Sequence, residues 1–483
     1  MTELLAPDEP ENITDSYEIA IIGAGPAGMS AAITASQAGV SVVVLDDKPR
    51  SGGQIYRNVD ASPLPDAEVL GPDYTKGAEL TVQFRGCNAR HISGVTVWHV
   101  GDNGEILFSD NGTTKRLTAQ KIIVATGAME RPFPIPGWHL PGVMSAGSAQ
   151  VMLKSDGLVR DGAIFAGTGP LLYLIVAQYL RLGVKVKALV DTTPKENYLH
   201  VMTELTGAVT APGMLIKGVG LLNEIRKSGT NIYSFAKDLK VTGDEQTAGL
   251  SFNCGGKEHS LPASYVFLHQ GVIPNLNITQ ALGLEHDWCQ QQLCWKPKIN
   301  RWGQSSKSHI AVAGDSGGII GADSAAAMGR VVTLNQLVNL GVTSRSLAEA
   351  EAADDLRFVA RQQRFRRFID RLYRPLDQQR IPEAPNTVVC RCEERTVADL
   401  KKGFELGGRE PNQLKSQTRC GMGPCQGRMC GHTVSELLAN WRNEPVADVG
   451  YYRLRSPMRL VTLQELSQFT DVTPEAKKTE EAS

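Results

Sequence analysis

The sequence predicts an α/β protein built on parallel sheets, followed by a small helical domain. Three observations carry this expectation: a strand–glycine turn–helix–strand unit over residues 17–47, a second over 161–191, and five cysteines crowded between 390 and 430. At 483 residues the chain is too long for one core. Its 50 basic and 51 acidic residues leave a net charge of -1, no field for nucleic acid or a membrane surface.

In the first unit, YEIAIIGAGPAG joins an apolar strand to Gly23-x-Gly25-x-x-Gly28, and ASQAGVSVVVLDD supplies the helix end, turn and second strand. This is the dinucleotide fingerprint in a Rossmann-like setting. The glycines permit a tight turn, approach of backbone N–H groups to a diphosphate, and close helix-on-strand packing. Pro26 and Ala27 complete the turn, whose helix N-terminus adds partial positive charge. Asp46 or Asp47 ends the second strand, where a carboxylate accepts from ribose hydroxyls. The fingerprint reads only the diphosphate, so FAD, ATP and NAD remain open for this site.

The second unit repeats the pattern with Gly167-x-Gly169, but Leu172 stands where a third glycine is expected. A bulky side chain there shifts the helix or marks a scaffold kept without its ligand, and the scaffold is the expectation. Were a nucleotide bound, Asp191 would favour NAD over NADP, because a carboxylate repels a 2′-phosphate.

Residues 348–374 read as a helix with Phe358, Phe365, Phe368, Ile369 and Leu372 on one stripe. Arg357, Arg361, Arg364, Arg367, Arg371 and Arg374 form the next, either a solvated face or forks for a phosphate or an acidic partner. Pro382 and Pro385 mark a boundary. Beyond it come a strand, the Cys390-Arg-Cys392 loop, a helix capped by Thr396, and Cys420, Cys425 and Cys430 in RCGMGPCQGRMC before HTVSELLANW. Thiolates in such an array suit iron–sulfur clusters, zinc or Cu(I). Cys289 and Cys294, and the lone Cys87 and Cys254, read as ordinary thiols. His91, His139 and His269 are cleft candidates without a nucleophile beside them, so no catalytic residue is assigned.

KIIVATGAMERPFPIPG (121–137) and SHIAVAGDSGGIIGADSAAAMGR (308–330) resemble signatures of the two-dinucleotide-binding-domain flavoprotein family. The resemblance implies cofactor contacts at Thr126, Gly127, Gly314 and Asp315, and at Gly52, Gly53 and Gln54 over the flavin ribose. Gly271 and Pro274 hold the family's places on the return from the inserted domain. The cysteine segment resembles the bacterioferritin-associated-ferredoxin type of [2Fe–2S] domain, with C-x-C, a long interval and C-x-x-C. An interval of 32 residues separates Cys392 from Cys425, implying Cys390, Cys392, Cys425 and Cys430 as ligands, with C-x4-C for the last two. Cys420 is then a neighbour, since using it would shorten the interval to 27; zinc is the inorganic alternative.

Residues 16–465 together resemble the α (A) subunits of heteromeric amino-acid and opine dehydrogenases, which include the D-hydroxyproline dehydrogenase, octopine/nopaline oxidase and hydrogen cyanide synthase groups. Sarcosine oxidase α is a more distant relative. The resemblance implies an electron-transfer subunit carrying FAD (or ATP or NAD) and a [2Fe–2S] cluster, with FMN at a subunit interface. Its expected partners are an amine-oxidase-like FAD β subunit that oxidises an amino acid, imino acid or opine, a small additional subunit, and an electron acceptor. Two other readings stand: a self-contained NAD(P)H-dependent flavin/[2Fe–2S] oxidoreductase, and a docking or iron-sensing module.

The expected domains are a flexible N-terminus (1–15), a FAD-type domain (16–150 with 296–340), an inserted second domain (151–295) and a helical linker (341–385). A [2Fe–2S] domain (386–445) and a C-terminal segment with a disordered tail (446–483) follow. No secretory pattern or long apolar run stands in the sequence, so a cytoplasmic protein without a transmembrane segment is expected.

Overall fold

The computed structural model describes residues 15–468, so residues 1–14 of the expected flexible N-terminus and the charged tail lie outside the described residues. The first domain is a seven-stranded sheet ordered Arg90–Ser93, Val42–Asp46, Asp15–Ile22, Thr113–Val124, Glu105–Asp110, Thr96–Val100, with Ile310–Val312 also paired to Thr113–Val124. The strands around Asp15–Ile22 run parallel, and the last two are antiparallel. Residues alternate between two cores. Ile19 and Ile21 meet helices Pro26–Gln37 and Ala322–Asn339, while Ala20 and Ile22 face Val97, Phe108 and Leu282.

The two helices cross closely because their contact residues are small. A Cβ on Gly329 would come within 2.2 Å of the Ala27 carbonyl oxygen. This crossing sets the first glycine turn against the returning C-terminal part of the domain.

The second domain is a five-stranded parallel sheet ordered Asn231–Ser234, Val186–Asp191, Ala163–Gly167, Val266–His269, Val143–Ser145. The expected boundary at residue 150 falls inside helix Ala146–Asp156, which packs with Val143–Ser145 on this second core. The chain crosses over earlier, through the pairing of Ala128–Glu130 with Val272–Pro274. Leu172 is fully buried in this core, in one cluster with Phe165 and Tyr179.

Helix Arg345–Leu372 turns Val359, Phe365 and Phe368 inward. Arg361, Arg364, Arg367 and Arg371 are exposed, and Arg330 forks onto Asp355 through Nε at 2.7 Å. Pro382 and Pro385 lie between helix Asp377–Arg380 and strand Val388–Cys390. That domain has three main helices, Val397–Glu405, Pro411–Thr418 and Gly431–Arg442, where the sequence suggested two. Thr396 caps the first of them in a capping box with Asp399. Among the described residues no helix is long and apolar enough to cross a membrane.

Gly329→Val is expected to push the two crossing helices apart and destabilise the protein by about 3 kcal/mol, to be measured by urea unfolding against wild type.

Candidate dinucleotide site and cysteine cage

The first site forms where Asp15–Ile22, Thr113–Val124 and Ile310–Val312 end side by side. Gly23 turns at φ +108°, and a Cβ on it would lie 2.4 Å from the Ala125 oxygen. The loop bearing Gly52 and Gly53 folds onto the same turn: Gly52 N donates to Ala24 O at 2.8 Å, and a Cβ on Gly53 would be 2.9 Å from Gly25 Cα. Gly314 packs on Ala27, and Gly127 N donates to Ser316 Oγ at 2.7 Å. Thr126 Oγ1 lies 3.4 Å from the same hydroxyl. The segments bearing Gly23 to Gly28, Gly52 to Gln54, Thr126–Gly127 and Gly314–Asp315 thus meet at one place.

The two aspartates of the second strand part ways. Asp46 is buried and accepts from Ala24 N and, at 2.7 Å, from Lys48 N, so it braces the turn from within. Burial raises its pKa, and these amides oppose the rise. Asp47 faces solvent beside Lys48, and Gln54 is exposed, accepting from Arg57 Nη2 at 3.0 Å. Asp315 accepts from Ile320 N at 2.8 Å and Gly321 N at 3.1 Å through Oδ1. A turn without side chains, at strand ends and a helix N-terminus, fits a dinucleotide diphosphate.

Lys154, which the sequence reading passed over, reaches this loop from the second domain. It is 2% exposed and donates from Nζ to Ile55 O at 2.8 Å and to Gln54 O and Gln150 Oε1 at 3.2 Å each. Burial pulls its pKa from 10.5 to about 7.

In the second site the polar groups are already taken within the chain. Asp191 accepts from Tyr173 Oη at 2.9 Å and from Thr193 N at 2.8 Å. His269 pairs through Nδ1 with Glu130 Oε1 at 2.6 Å, and its Nε2 would stand 3.0 Å from a Cβ on Gly169. Of the other histidines considered, His91 packs edge-on against Phe84 and His139 is exposed. Cys289 and Cys294 face each other across the hairpin His286–Cys289 and Cys294–Pro297. Cys87 and Cys254 donate to the local carbonyls of Phe84 and Ser234.

The cysteine domain gathers its five sulfurs in two groups. Cys390, Cys420 and Cys430 are buried with their sulfurs all within 4.8 Å of one another. Cys392 pairs with Cys425, whose backbone N–H donates to it. Spacing alone set Cys420 aside as a neighbour, whereas the fold puts its sulfur in the buried triad with two of the four expected ligands. Hydrogen bonds from Cys420 and Cys430 lower the Cys390 pKa to about 2, and the bond to Cys390 raises Cys420 to about 12. The donors are sulfur throughout, and thiolate sulfur fits a soft, cationic iron–sulfur or zinc centre.

Two tyrosines that sequence reasoning placed in an unassigned C-terminal segment cover this cage. Tyr452 is 1% exposed, with Oη 3.5 Å from Cys420 Sγ and 3.9 Å from Cys430 Sγ. A Cβ on Gly421 or on Gly427 would come within 2.7 Å of the Tyr452 ring, and one on Gly431 within 2.2 Å of Tyr451 Oη. The glycines of GMGPCQGRMCG therefore make room for aromatic rings as well as for sulfur. That spacing was the available signal.

The cage is tied to the rest of the chain by buried contacts. Trp138 Nε1 donates to Val388 O at 2.6 Å, Trp295 N donates to His432 Nε2 at 3.2 Å, and Arg380 pairs with Glu436. Burial lowers the His432 pKa to about 3, so its ring is neutral.

Residues 17–329 match the pyridine nucleotide-disulphide oxidoreductase family, and residues 384–468 match the sarcosine oxidase A3 domain. The opine oxidase A subunit of Rhizobium meliloti is 40% identical over 466 residues, covering 95% of this chain and 88% of its own. Hydrogen cyanide synthase subunit HcnB of Pseudomonas protegens is 30% identical, covering 91% of this chain and 95% of its own. The crystal structure of L-proline dehydrogenase from P.horikoshii shares the fold, with a TM-score of 0.68 and 16% identity over 93% of this chain and 79% of its own.

Because Lys154 titrates near 7 when folded and near 10.5 when unfolded, the unfolded chain holds the extra proton between those values. Its contribution to stability should therefore rise with pH across that window, by up to about 4 kcal/mol. Lys154→Met is expected to abolish that rise, as read from urea unfolding of both proteins at pH 7 and pH 10.

Proposed function

Since this chain belongs to the pyridine nucleotide-disulphide oxidoreductase family, and within it to the group of the opine oxidase A subunits and the hydrogen cyanide synthase HcnB subunits, we propose that it is the electron-transfer α subunit of a heteromeric dehydrogenase. The observation that carries this is a buried three-sulfur cluster with a Cys392–Cys425 pair in the same domain, built onto a flavoprotein scaffold in which Asp191 and His269 of the second nucleotide site are hydrogen-bonded within the chain. The relatives named as subunits of oxidases and synthases, matched over nearly their whole length, support a multi-subunit assembly.

In this reading the donor is an amino acid, imino acid or opine, and its C–H bond is broken on an amine-oxidase-like β subunit carrying FAD. FMN lies at the interface, a small further subunit joins the complex, and the acceptor is external. The work takes place in the cytoplasm. The chain's own residues hold and orient. Gly23, Gly25, Pro26, Ala27 and Gly28 cradle the diphosphate of FAD, or of ATP or NAD in the same place, with Asp46 bracing the turn and Asp47 at its rim. Gly53, Gln54, Thr126, Gly127, Gly314 and Asp315 frame the remainder of that cofactor.

Cys390, Cys392, Cys425 and Cys430 would hold the [2Fe–2S] cluster, with Cys420 as the fifth sulfur beside them. When bound, the flavin supplies two-electron chemistry and the cluster one-electron chemistry. What the polypeptide adds is exclusion of water from the cage and a fixed route of contacts from the nucleotide site to it.

Cys430→Ser is expected to lose the cluster, whereas Cys420→Ser retains iron and acid-labile sulfide. Retention in the first variant with loss in the second would reassign the fourth ligand, and one zinc without sulfide would end the iron–sulfur reading. For the function, the chain is purified with its co-purifying partner and its visible spectrum followed on adding amino acids, imino acids, opines or NADH. Bleaching by one of the first three only when the second subunit is present is the expected result. Stoichiometric bleaching of the isolated chain by NADH would overturn the proposal in favour of a self-contained reductase.

A further inference from the structure

The segment Tyr451–Tyr452 lies 21 residues beyond Cys430 at its start and contains none of the residues assigned above. Three features single out Tyr452. Its hydroxyl is buried and lies within reach of two cage sulfurs, Cys420 Sγ at 3.5 Å and Cys430 Sγ at 3.9 Å. Its ring occupies space that Cβ atoms on Gly421 and Gly427 would fill, so the cysteine turn has the shape of this side chain. The ammonium of Lys415 sits over the ring, 5.5 Å from its centroid.

A phenolic O–H can donate to a thiolate, and the stabilisation grows with the negative charge on sulfur. One electron added to a thiolate-ligated cluster raises that charge without making or breaking a bond. A donor fixed on the ligand sulfur therefore favours the reduced state and raises the reduction potential. Resting on the iron–sulfur reading above, we propose that Tyr452 sets the cluster's reduction potential, its one hydroxyl proton turning from Cys420 to the neighbouring ligand Cys430 while its ring keeps water from both. Tyr451 differs. Its ring meets His432 at a centroid distance of 5.3 Å, and it packs over Gly431 rather than over the cysteine turn.

Tyr452→Phe keeps the ring and removes only the donor. In an EPR-monitored redox titration of the purified complex, the variant is expected to hold its iron and sulfide. Its oxidised-to-reduced ratio at fixed ambient potential should rise about three- to tenfold, a fall in midpoint of about 30–60 mV for one electron. Tyr451→Phe should leave the midpoint in place. In the wild-type reduced cluster, ENDOR before and after exchange into D2O should show a strongly coupled exchangeable proton that Tyr452→Phe lacks.

An unchanged midpoint in a fully loaded Tyr452→Phe protein, or no such proton in the wild type, overturns the inference and leaves the iron–sulfur reading standing. Should the phenylalanine variant fail to load, the wild-type ENDOR result alone decides. Wild-type protein without iron and sulfide overturns both.

Discussion

Everything functional in this chain depends on backbone being allowed to touch backbone. At the first site, a Cβ on Gly28 would stand 1.8 Å from Gly23 O, so the helix that aims its amides at a diphosphate can begin there only because the side chain is missing. The same constraint recurs at Gly53 over Gly25, at Gly314 against Ala27, and at Gly329 where the returning helix crosses the first. In the cysteine domain it recurs with another purpose. A Cβ on Gly423 would lie 2.2 Å from Cys392 Cβ, so glycines there bring sulfur and aromatic rings together where elsewhere they admit phosphate.

The two sites are joined by hydrogen bonds through the hairpin of residues 286–297. Gln292 accepts from Ile319 N at 3.1 Å and donates to Ile319 O at 2.8 Å, which fixes the loop following Asp315. Arg131, buried, donates to Leu293 O at 2.8 Å and Gln292 O at 2.7 Å, pinning the hairpin tip. Trp295 then donates to His432, two residues past Cys430 on the helix that closes the cage. His432 is neutral because burial disfavours its charged form. A neutral imidazole accepting on Nε2 carries its proton on Nδ1, which fixes the tautomer at this joint.

Much of the first site was legible because its signal is local. Gly23, Gly25 and Gly28 declare a turn, the apolar run before them a buried strand, and Asp46 the end of the next strand. Local reading also found the Thr396 cap and the proline boundary at 382–385, where torsional and hydrogen-bonding rules act over a few residues. It did less well where a role depends on partners far along the chain. The sequence offers Asp46 or Asp47 as a ribose acceptor, and the fold adds that the Asp46 carboxylate braces the turn through two amides. Lys154 lies about one hundred residues from the loop it holds. The domain boundary at 150 missed Val143–Ser145, because a three-residue edge strand has no periodicity of its own.

The sequence by itself determined the nucleotide turn, the two-unit α/β organisation and the crowding of cysteines in the last domain, since each is encoded by residue type at short spacing. Only the tertiary structure decided that Cys420 joins Cys390 and Cys430, that Asp191 and His269 have their polar atoms engaged within the chain, and that Tyr452 roofs the sulfurs. The reason is physical. A turn follows from the torsional limits of its own few residues, whereas which sulfur lies beside which hydroxyl depends on how separate helices pack, and packing is settled by the whole core at once.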